Sequence, residues 1–221
     1  MIEINETFSS LAEWQSWWAS NASSLMSPSV IGRYIVGAGF VEPLTGKIVL
    51  SQDISPCEGN WREGVVASGL NSRARAVLAV IEEKVVDQIR HETRIFGTEA
   101  LSSFALTMRG QFPRYLGSEY GVDEVAKASL YPIPHEDLTA LTLPSNSFEF
   151  VTTNEVLEHV PDIDAALREM ARILIPGGWH IGTVPFAYNS VESVVKARLQ
   201  AGHLVHLMEP EYHDNPVDPR G

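Results

Sequence analysis

The chain has 221 residues, of which 44% are hydrophobic and 20% are charged, a composition typical of a globular protein and unlike that of a disordered one. Sixteen Lys and Arg residues against 28 Asp and Glu residues give a formal net charge of −12. A chain with this charge repels the phosphates of nucleic acids and anionic lipids. We therefore expect neither a nucleic acid nor a membrane as a general partner.

The cysteine content points to a reducing compartment. Cys57 is the single cysteine, so the chain can form neither an internal disulfide nor a Cys-rich zinc site. The N-terminus is acidic where a signal peptide would be basic, and no run of about 18 apolar residues is present. The expected localisation is cytoplasmic.

Residues 1–72 are predicted to form an N-terminal appendage. Trp14 and Trp18 lie on one helical face with Leu11 in a helix predicted over residues 6–26, which either packs on the domain or presents an interaction face to a partner. Residues 27–72 are rich in Pro, Gly and Ser. They predict short strands at 31–36 and 47–50 with a turn at 43–46 between them.

Residues 73–221 are predicted to form an α/β domain. Leu78, Ile81, Val85 and Ile89 predict a helix over residues 73–90. The strands predicted after it are at 94–98, 114–119, 133–138, 148–153 and 179–185, and the helices are at 102–112, 123–129 and 163–174. This alternation predicts a doubly wound, mostly parallel sheet with crossover helices, as in Rossmann-like folds. A further helix is predicted over 191–199, and no terminal hairpin is predicted.

Polar side chains follow several of the predicted strands, where an open parallel sheet binds its ligands. Glu119 ends the second strand and can accept hydrogen bonds from a ribose diol, or it is a solvated acid at a strand end. Asp137 can bind the exocyclic amine of a purine whose face packs on Leu138. Because Thr139 follows, Asp137 equally fits an ordinary turn.

Other patterns favour plainer interpretations. Gly37 and Gly39 imitate the start of a dinucleotide-binding loop, but the third glycine is missing. His203, His206 and His213 fit a solvated polar tail better than a metal site, and we expect no metal. His159 is either a capping or packing residue, or a general base suited to neutral pH.

A longer run of residues carries a more specific signal. Asp137 and a Leu-Pro element precede the strand that begins at Phe148, a Leu-Glu-His-Val turn follows, and the next helix ends at Leu-Ile-Pro-Gly-Gly. This arrangement resembles the second half of class I S-adenosylmethionine-dependent methyltransferases of the type 11 group. The resemblance covers about residues 93–188, and it places Glu149 where that family usually has Asp.

The resemblance implies a seven-stranded doubly wound sheet and S-adenosylmethionine as the cofactor. Glu119 would then bind the ribose hydroxyls, and Asp137 and Leu138 would bind the adenine. The first loop would supply Gly97, Thr98 and Glu99, with Glu99 holding the amino group of the cofactor. Asn154 and Glu155 would line the methionine end of the cleft. His159, which follows a strand, is the candidate catalytic residue as a general base.

The sequence departs from the family at three places. The first loop has a single glycine, Gly97, where the family is glycine-rich. Without a terminal hairpin, either the chain is truncated or a partner chain, or a second copy in a homodimer, completes the open sheet edge. Residues 60–63 and 69–75 resemble a segment that surrounds a zinc knuckle in some relatives, but here the cysteine pairs are absent.

Together these observations predict S-adenosylmethionine-dependent methyl transfer to a small-molecule or glycan acceptor. The alternative is a non-catalytic, methyltransferase-like scaffold or partner subunit. A nucleotide-sugar enzyme is disfavoured because the glycine-rich phosphate loop that it would need is missing.

Overall fold

The structure is a computed structural model that describes residues 7–25, 27–57, 63–85, 90–185, 192–201 and 203–210. The appendage contains α1 (Leu11–Asn21), α2 (Pro28–Ala38), β1 (Phe40–Val41), β2 (Ile48–Val49), β3 (Ser55–Pro56) and β4 (Val65–Val66). It is followed by α3 (Ser72–Val85), β5 (Arg94–Gly97), α4 (Ser103–Gln111), β6 (Arg114–Gly117) and α5 (Glu124–Ser129). The remaining elements are β7 (Phe148–Asn154), α6 (Ile163–Ile173), β8 (Leu174–Thr183), β9 (Ala197–Gln200) and β10 (His203–His206).

Helix α1 confirms the helix predicted around the tryptophans. None of its residues is buried, and its rings pack on one another, with Trp14 centred 5.6 Å from Trp17 and 5.3 Å from Trp18. The side chains of α1 are therefore not buried against the domain. Its use as an interaction face stays a prediction.

The strand predicted at 31–36 is wrong, because those residues lie within α2. Pro28 stands in the first turn, where its missing N–H costs nothing, and Gly39 ends the helix with a φ of 73°. These two signals outweigh the β-branched residues between them. The strand predicted at 47–50 is confirmed as β2, which pairs antiparallel with β1 across a turn in which the Gly46 amide donates to the Glu42 carbonyl.

A buried ion pair ties this hairpin to α3. Arg75 lies on α3, and its guanidinium donates to both carboxylate oxygens of Glu42, at 2.9 Å from Nε to Oε2 and from Nη2 to Oε1. Arg75 also donates to the carbonyl of Ala67 and stacks 4.7 Å from the ring centre of Phe40. The exact boundary between the appendage and the α/β domain stays a prediction.

The central sheet is parallel and has the strand order β6-β5-β7-β8. Helices α3 and α4 cover one face, where Leu78 and Met108 pack in one core with Ile95 and Phe150. Helix α6 covers the other face, where Met170 packs in a second core. The predicted α/β, doubly wound parallel fold is therefore confirmed. Within the described ranges the sheet has four strands rather than the seven that the resemblance implies.

Two predictions near the sheet are wrong. Residues 133–138 form no strand, and a single bridge joins His135 to Glu119, because Pro132 and Pro134 remove two of the amide donors that a ladder needs. The helix predicted at 191–199 is wrong over 192–199, where no residue is helical and β9 pairs antiparallel with β10, and residue 191 lies outside the described residues. A hairpin therefore exists, but it is a separate two-stranded sheet, and no described residue pairs with the outer edge of β8.

The helices in the described part of the chain are all too short or too polar to span a bilayer.

Candidate active site

The loop after β5 is held across the carboxyl edge of the sheet by Glu99. The Asn154 amide, at the end of β7, donates to Oε1 of Glu99, and the Ser102 hydroxyl donates to Oε2. Burial raises the pKa of Glu99, nearby Glu119 raises it further, and the two hydrogen bonds oppose the rise. Glu99 thus places a costly negative charge between β5 and β7.

Glu119 lies just beyond β6 and uses one carboxylate oxygen within the protein. Its Oε1 accepts from the backbone amides of Ala100 and Leu101, at 2.8 and 3.2 Å. No described residue donates to Oε2. Glu119 therefore orders the first loop and keeps one oxygen for the predicted ribose contact.

Two glycines at this edge are required by the packing of the chain itself. A Cβ on Gly97 would lie 2.0 Å from the hydroxyl of Tyr115, and a Cβ on Gly117 would lie 2.5 Å from the carbonyl of Glu99. The Tyr115 hydroxyl donates to that carbonyl at 2.7 Å, and burial raises the pKa of Tyr115, which keeps the hydroxyl protonated. A backbone contact between Gly97 and a cofactor stays a prediction.

Thr98 continues the β5 ladder toward β7. Its amide donates to the carbonyl of Thr152 at 3.2 Å. The loop therefore leaves the sheet only after Thr98, and its cofactor contact stays a prediction.

Asp137 lies beside Glu119 because the two backbone segments pair. The Glu119 amide donates to Pro134, and the Glu136 amide donates to Glu119, at 3.0 and 3.2 Å. Oδ1 of Asp137 accepts from the amide and hydroxyl of Thr139, which is the turn contact that the sequence left open. No described residue donates to Oδ2 of Asp137, so that oxygen can still take the predicted purine amine.

Leu138 is 7% exposed and belongs to the core under α6. Its contact with a purine stays a prediction. The neighbouring loop is held by two residues that sequence reasoning missed. Glu136 accepts from the amide and hydroxyl of Thr142, and Arg172 of α6 donates to the carbonyls of Leu141 and Leu143.

Asn154 and Glu155 end β7 at the centre of the edge. The Asn154 amide nitrogen is used by Glu99, whereas its Oδ1 is buried without a partner. Glu155 adopts a left-handed φ of 53°, and its amide donates to the Thr183 carbonyl at 2.9 Å. A non-glycine residue in this region carries backbone strain, a feature common at functional sites.

Arg73, at the start of α3, brings a positive charge to this acidic edge. Its Nη1 lies 2.7 Å from Oε1 of Glu63 and 3.4 Å from Oε2 of Glu155. In the sequence, Arg73 lies within the segment 69–75 that resembles the surroundings of a zinc knuckle, and no role is predicted for it. No local pattern revealed it, because its partner Glu155 lies on a distant strand end.

His159 ends a one-turn helix, Leu157–His159, beyond β7. Its side chain is 52% exposed, and Nε2 lies 3.8 Å from a carboxylate oxygen of Glu158. This exposure does not fit a packing role. A role as general base stays a prediction.

The available groups fit S-adenosylmethionine. Its ribose diol needs an acceptor, for which Oε2 of Glu119 is available, and its ammonium needs a buried acceptor such as the Glu99 carboxylate. Its carboxylate needs a cation, and Arg73 is the charge at that end. Among the described residues, no group of His, Cys, Asp and Glu side chains is arranged as a metal site.

Comparison with known families supports the class. Residues 106–182 match the family described as "Methyltransferase domain", from within α4 to the last residue but one of β8. The resemblance to class I S-adenosylmethionine-dependent methyltransferases is therefore confirmed over that segment. The match supports the predicted cofactor, S-adenosylmethionine.

Curated relatives match over a shorter segment. The chain is 42% identical over 60 residues to a demethylmenaquinone methyltransferase of Listeria monocytogenes serotype 4a (strain HCC23), covering 26% of this chain and 25% of that protein. It is 40% identical over 60 residues to the demethylmenaquinone methyltransferase of Staphylococcus aureus (strain JH9), covering 27% of this chain and 25% of that protein. The chain thus spans about a quarter of the length of these relatives.

Solved structures show weak overall similarity. A putative sarcosine dimethylglycine methyltransferase from Galdieria sulphuraria is 17% identical, covers 48% of this chain and 44% of that chain, and superposes with a TM-score of 0.39. A chain in the complex between the Haloferax volcanii Trm112 methyltransferase activator and the putative methyltransferase is 21% identical. The match covers 47% of this chain and 50% of that chain, with a TM-score of 0.35.

Proposed function

We propose that this protein transfers a methyl group from S-adenosylmethionine to a small-molecule or glycan acceptor. The observation that carries the proposal is the set of polar groups at the carboxyl edge of the sheet. Glu99, Glu119 and Asn154 are fixed there by hydrogen bonds, and the latter two each keep an oxygen without a protein partner. The family match over residues 106–182 supports the same conclusion.

The residues would act mainly by binding and orienting. The cofactor, when bound, supplies an electrophilic methyl group on a sulfonium. Glu119 would accept from the ribose hydroxyls, and Oδ2 of Asp137 would accept from the adenine amine. Glu99 and Glu155 would accept from the ammonium at the methionine end. Such positioning can contribute on the order of 7–11 kcal/mol to the barrier reduction.

His159 would serve as the general base when the acceptor has to lose a proton. A base of this kind adds about 10²- to 10⁴-fold to the rate, which is less than positioning contributes. The exposed position of His159 allows the proton to pass on to solvent. We therefore expect His159 to affect turnover rather than cofactor binding.

Titration calorimetry with S-adenosylmethionine and S-adenosylhomocysteine tests the proposal. We expect one molecule of either ligand to bind per chain, with loss of binding in Glu119→Ala. Glu124→Gln is the matched control, because that carboxylate is exposed on α5 and lies outside the site. The absence of heat from a folded protein with either ligand would remove the proposal.

A non-catalytic scaffold is the second candidate, and a specific observation favours it. The space beside Gly97 and Gly117 is filled by Tyr115 and the first loop. A cofactor that contacts the backbone of these glycines would need that space to be open. A folded protein that binds neither ligand but forms a stable complex with a partner chain would support this candidate.

We propose that the outer edge of β8 is covered by a second copy or by a partner chain. The edge is ten residues long, and among the described residues only its inner side is paired, with β7. Exposed strand edges of this length favour pairing with another chain. Sedimentation velocity should show concentration-dependent self-association, whereas a monomer at all concentrations would favour a different partner.

The cytoplasm is the compartment that we propose, since a single cysteine and an acidic composition suit it.

A further inference from the structure

Two buried side-chain oxygens at the carboxyl edge have no hydrogen-bond partner. They are Oδ1 of Asn154 and Oγ1 of Thr183. Within the described ranges, every other buried side-chain nitrogen or oxygen has a hydrogen-bond partner. An unsatisfied buried polar atom costs folding free energy, so native proteins seldom keep one without a reason. Here two occur side by side.

The two oxygens belong to residues that face each other across neighbouring strands. Asn154 and Thr183 are register partners at the ends of β7 and β8, so their Cα atoms are about 5 Å apart. Register partners project to the same side of a sheet, and Ile181, two residues before Thr183, packs in the core under α3. Both side chains therefore lie on the α3 side.

Their chemistry restricts what can bind between them. The amide nitrogen of Asn154 already donates to Glu99, so Oδ1 can only accept. The hydroxyl oxygen of Thr183 can accept as well. A pair of neighbouring acceptors matches a ligand group that carries two hydrogens on one atom.

The position in the sheet separates this pair from the nucleoside part of the cofactor. The predicted ribose and first-loop residues lie at β6 and β5, at one end of the order β6-β5-β7-β8. Thr183 lies at β8, at the opposite end, and just beyond the segment that matches the methyltransferase family. A group bound between β7 and β8 therefore lies on the acceptor side of the cleft.

We propose that Asn154 and Thr183 hold the two N–H groups of a primary amine on the methyl acceptor. The inference rests on the proposed methyl transfer and names its substrate class: a small amine or an amino sugar. An amine that arrives as an ammonium first loses one proton to water, and the two N–H groups then held leave the nitrogen lone pair free to face the sulfonium. The N–CH₃ bond forms as the S–CH₃ bond breaks, its electron pair stays on sulfur, and the methylated ammonium then loses one proton to water.

The local charge agrees with this assignment. The carboxylates of Glu63, Glu99 and Glu155 surround the edge, and Arg73 is the cation paired with two of them. Burial and the nearby carboxylate of Glu119 both raise the pKa of Glu99, whereas Arg73 lowers it. An acidic edge attracts amines and repels acidic acceptors.

Stability measurements on the free protein test the unsatisfied hydroxyl. Thr183→Val removes an oxygen that has no partner, so we expect the thermal midpoint to stay unchanged or to rise. Thr153→Val is the matched control on β7, because its hydroxyl bonds Nε2 of His180 at 2.8 Å, and we expect its midpoint to fall. A fall for Thr183→Val equal to that of the control would contradict the proposal.

A binding experiment tests the ligand class without knowing the acceptor. The protein is saturated with S-adenosylhomocysteine, and its thermal midpoint is measured in methylammonium chloride and in tetramethylammonium chloride at equal ionic strength. Only methylammonium carries N–H groups. We expect it to raise the midpoint of the wild type and of Thr183→Ser more than tetramethylammonium does, and we expect Thr183→Val to lose the difference.

The outcomes separate the two proposals. If S-adenosylhomocysteine does not bind, the proposed function fails. If it binds but the two salts act equally on the wild type, the amine site fails and methyl transfer stands. If Thr183→Val lowers the affinity for S-adenosylhomocysteine tenfold or more, the pair holds the cofactor, which also overturns the assignment.

Discussion

Glu119 shows how one carboxylate at a strand end can order a loop and still face a ligand. Its Oε1 is used by two amides of the first loop, and its Oε2 is left for a hydroxyl donor. Asp137 divides its oxygens in the same way, with Oδ1 used by Thr139. At both residues, a structural role for one carboxylate oxygen is therefore compatible with a ligand contact by the other.

We expect Glu119→Ala to weaken the binding of S-adenosylhomocysteine by about 10-fold to 100-fold. The change removes charge-assisted hydrogen bonds, worth about 1.5–3 kcal/mol, and loosens the loop. His159→Ala should leave this affinity nearly unchanged and lower turnover instead. Calorimetry and a methylation assay on both variants provide the comparison, and a larger affinity loss for His159→Ala would reverse the assigned roles.

Glu99 gives a pH-dependent prediction. Burial raises its pKa above the ordinary value of 4.5, so between 4.5 and the raised pKa the folded state binds more protons than the unfolded state. The stability contribution of Glu99 is therefore present below pH 4.5 and is lost as the pH rises through the raised pKa.

We expect Glu99→Gln to be more stable than the wild type at pH 8, with the advantage shrinking toward pH 4.5. The amide keeps the shape and carries no buried charge, its oxygen can accept from Asn154, and its nitrogen can donate to the Ser102 hydroxyl oxygen in a reversed hydrogen bond. Thermal unfolding across this pH range measures the effect, with Glu124→Gln as the exposed control. A variant that is less stable at pH 8 would show that the Glu99 charge is well compensated in the free protein.

At the level of elements, segments with a strong apolar periodicity were predictable, whereas short segments and segments defined by Pro and Gly at their ends were not. Helix α6 and strand β7 follow clear apolar patterns, and the structure confirms both. The β-branched residues of 31–36 favour a strand, but Pro28 and Gly39, which delimit the segment, decide for helix α2. The hairpin at 197–206 was missed because its two four-residue strands are too short to show alternation against a helical pattern.

The site was predictable only where function follows from position in the chain. Glu99, Glu119 and Asn154 come directly after strands, and the structure brings all three to one edge. Arg73 and Thr183 were not predicted, because their importance depends on partners that are distant in sequence. The contact between Tyr115 and Gly97 could not be predicted for the same reason.

The link between the appendage and α3 gives an element-level prediction. Arg75 and Glu42 are both nearly buried, so removing one leaves an uncompensated charge. We expect Arg75→Ala to lower the free energy of unfolding by about 3–5 kcal/mol, and the double change Arg75→Met with Glu42→Leu to cost less. Chemical denaturation measures both.

Lys127→Ala is the control for this experiment, because its ion pair with Glu124 is exposed and should contribute little to stability. Equal losses for Arg75→Ala and the double variant would show that Arg75 stabilises the junction by packing and backbone contacts rather than by charge pairing.

For the whole molecule, the N-terminal region contributes to the site as well as to stability. Glu63 precedes α3, Arg73 begins it, and their ion pair reaches Glu155 at the end of β7. The buried Arg75–Glu42 pair fixes the same helix to the β1–β2 hairpin. The appendage therefore positions a cation at the methionine end of the proposed cleft.

The most direct test is a crystal structure of the protein with S-adenosylhomocysteine. We predict that the ribose hydroxyls contact Oε2 of Glu119, that the adenine amine lies at Asp137, and that the amino-acid end lies among Glu99, Glu155 and Arg73. A ligand bound elsewhere, or an edge still closed by Tyr115 and the first loop at saturating ligand, would contradict the account.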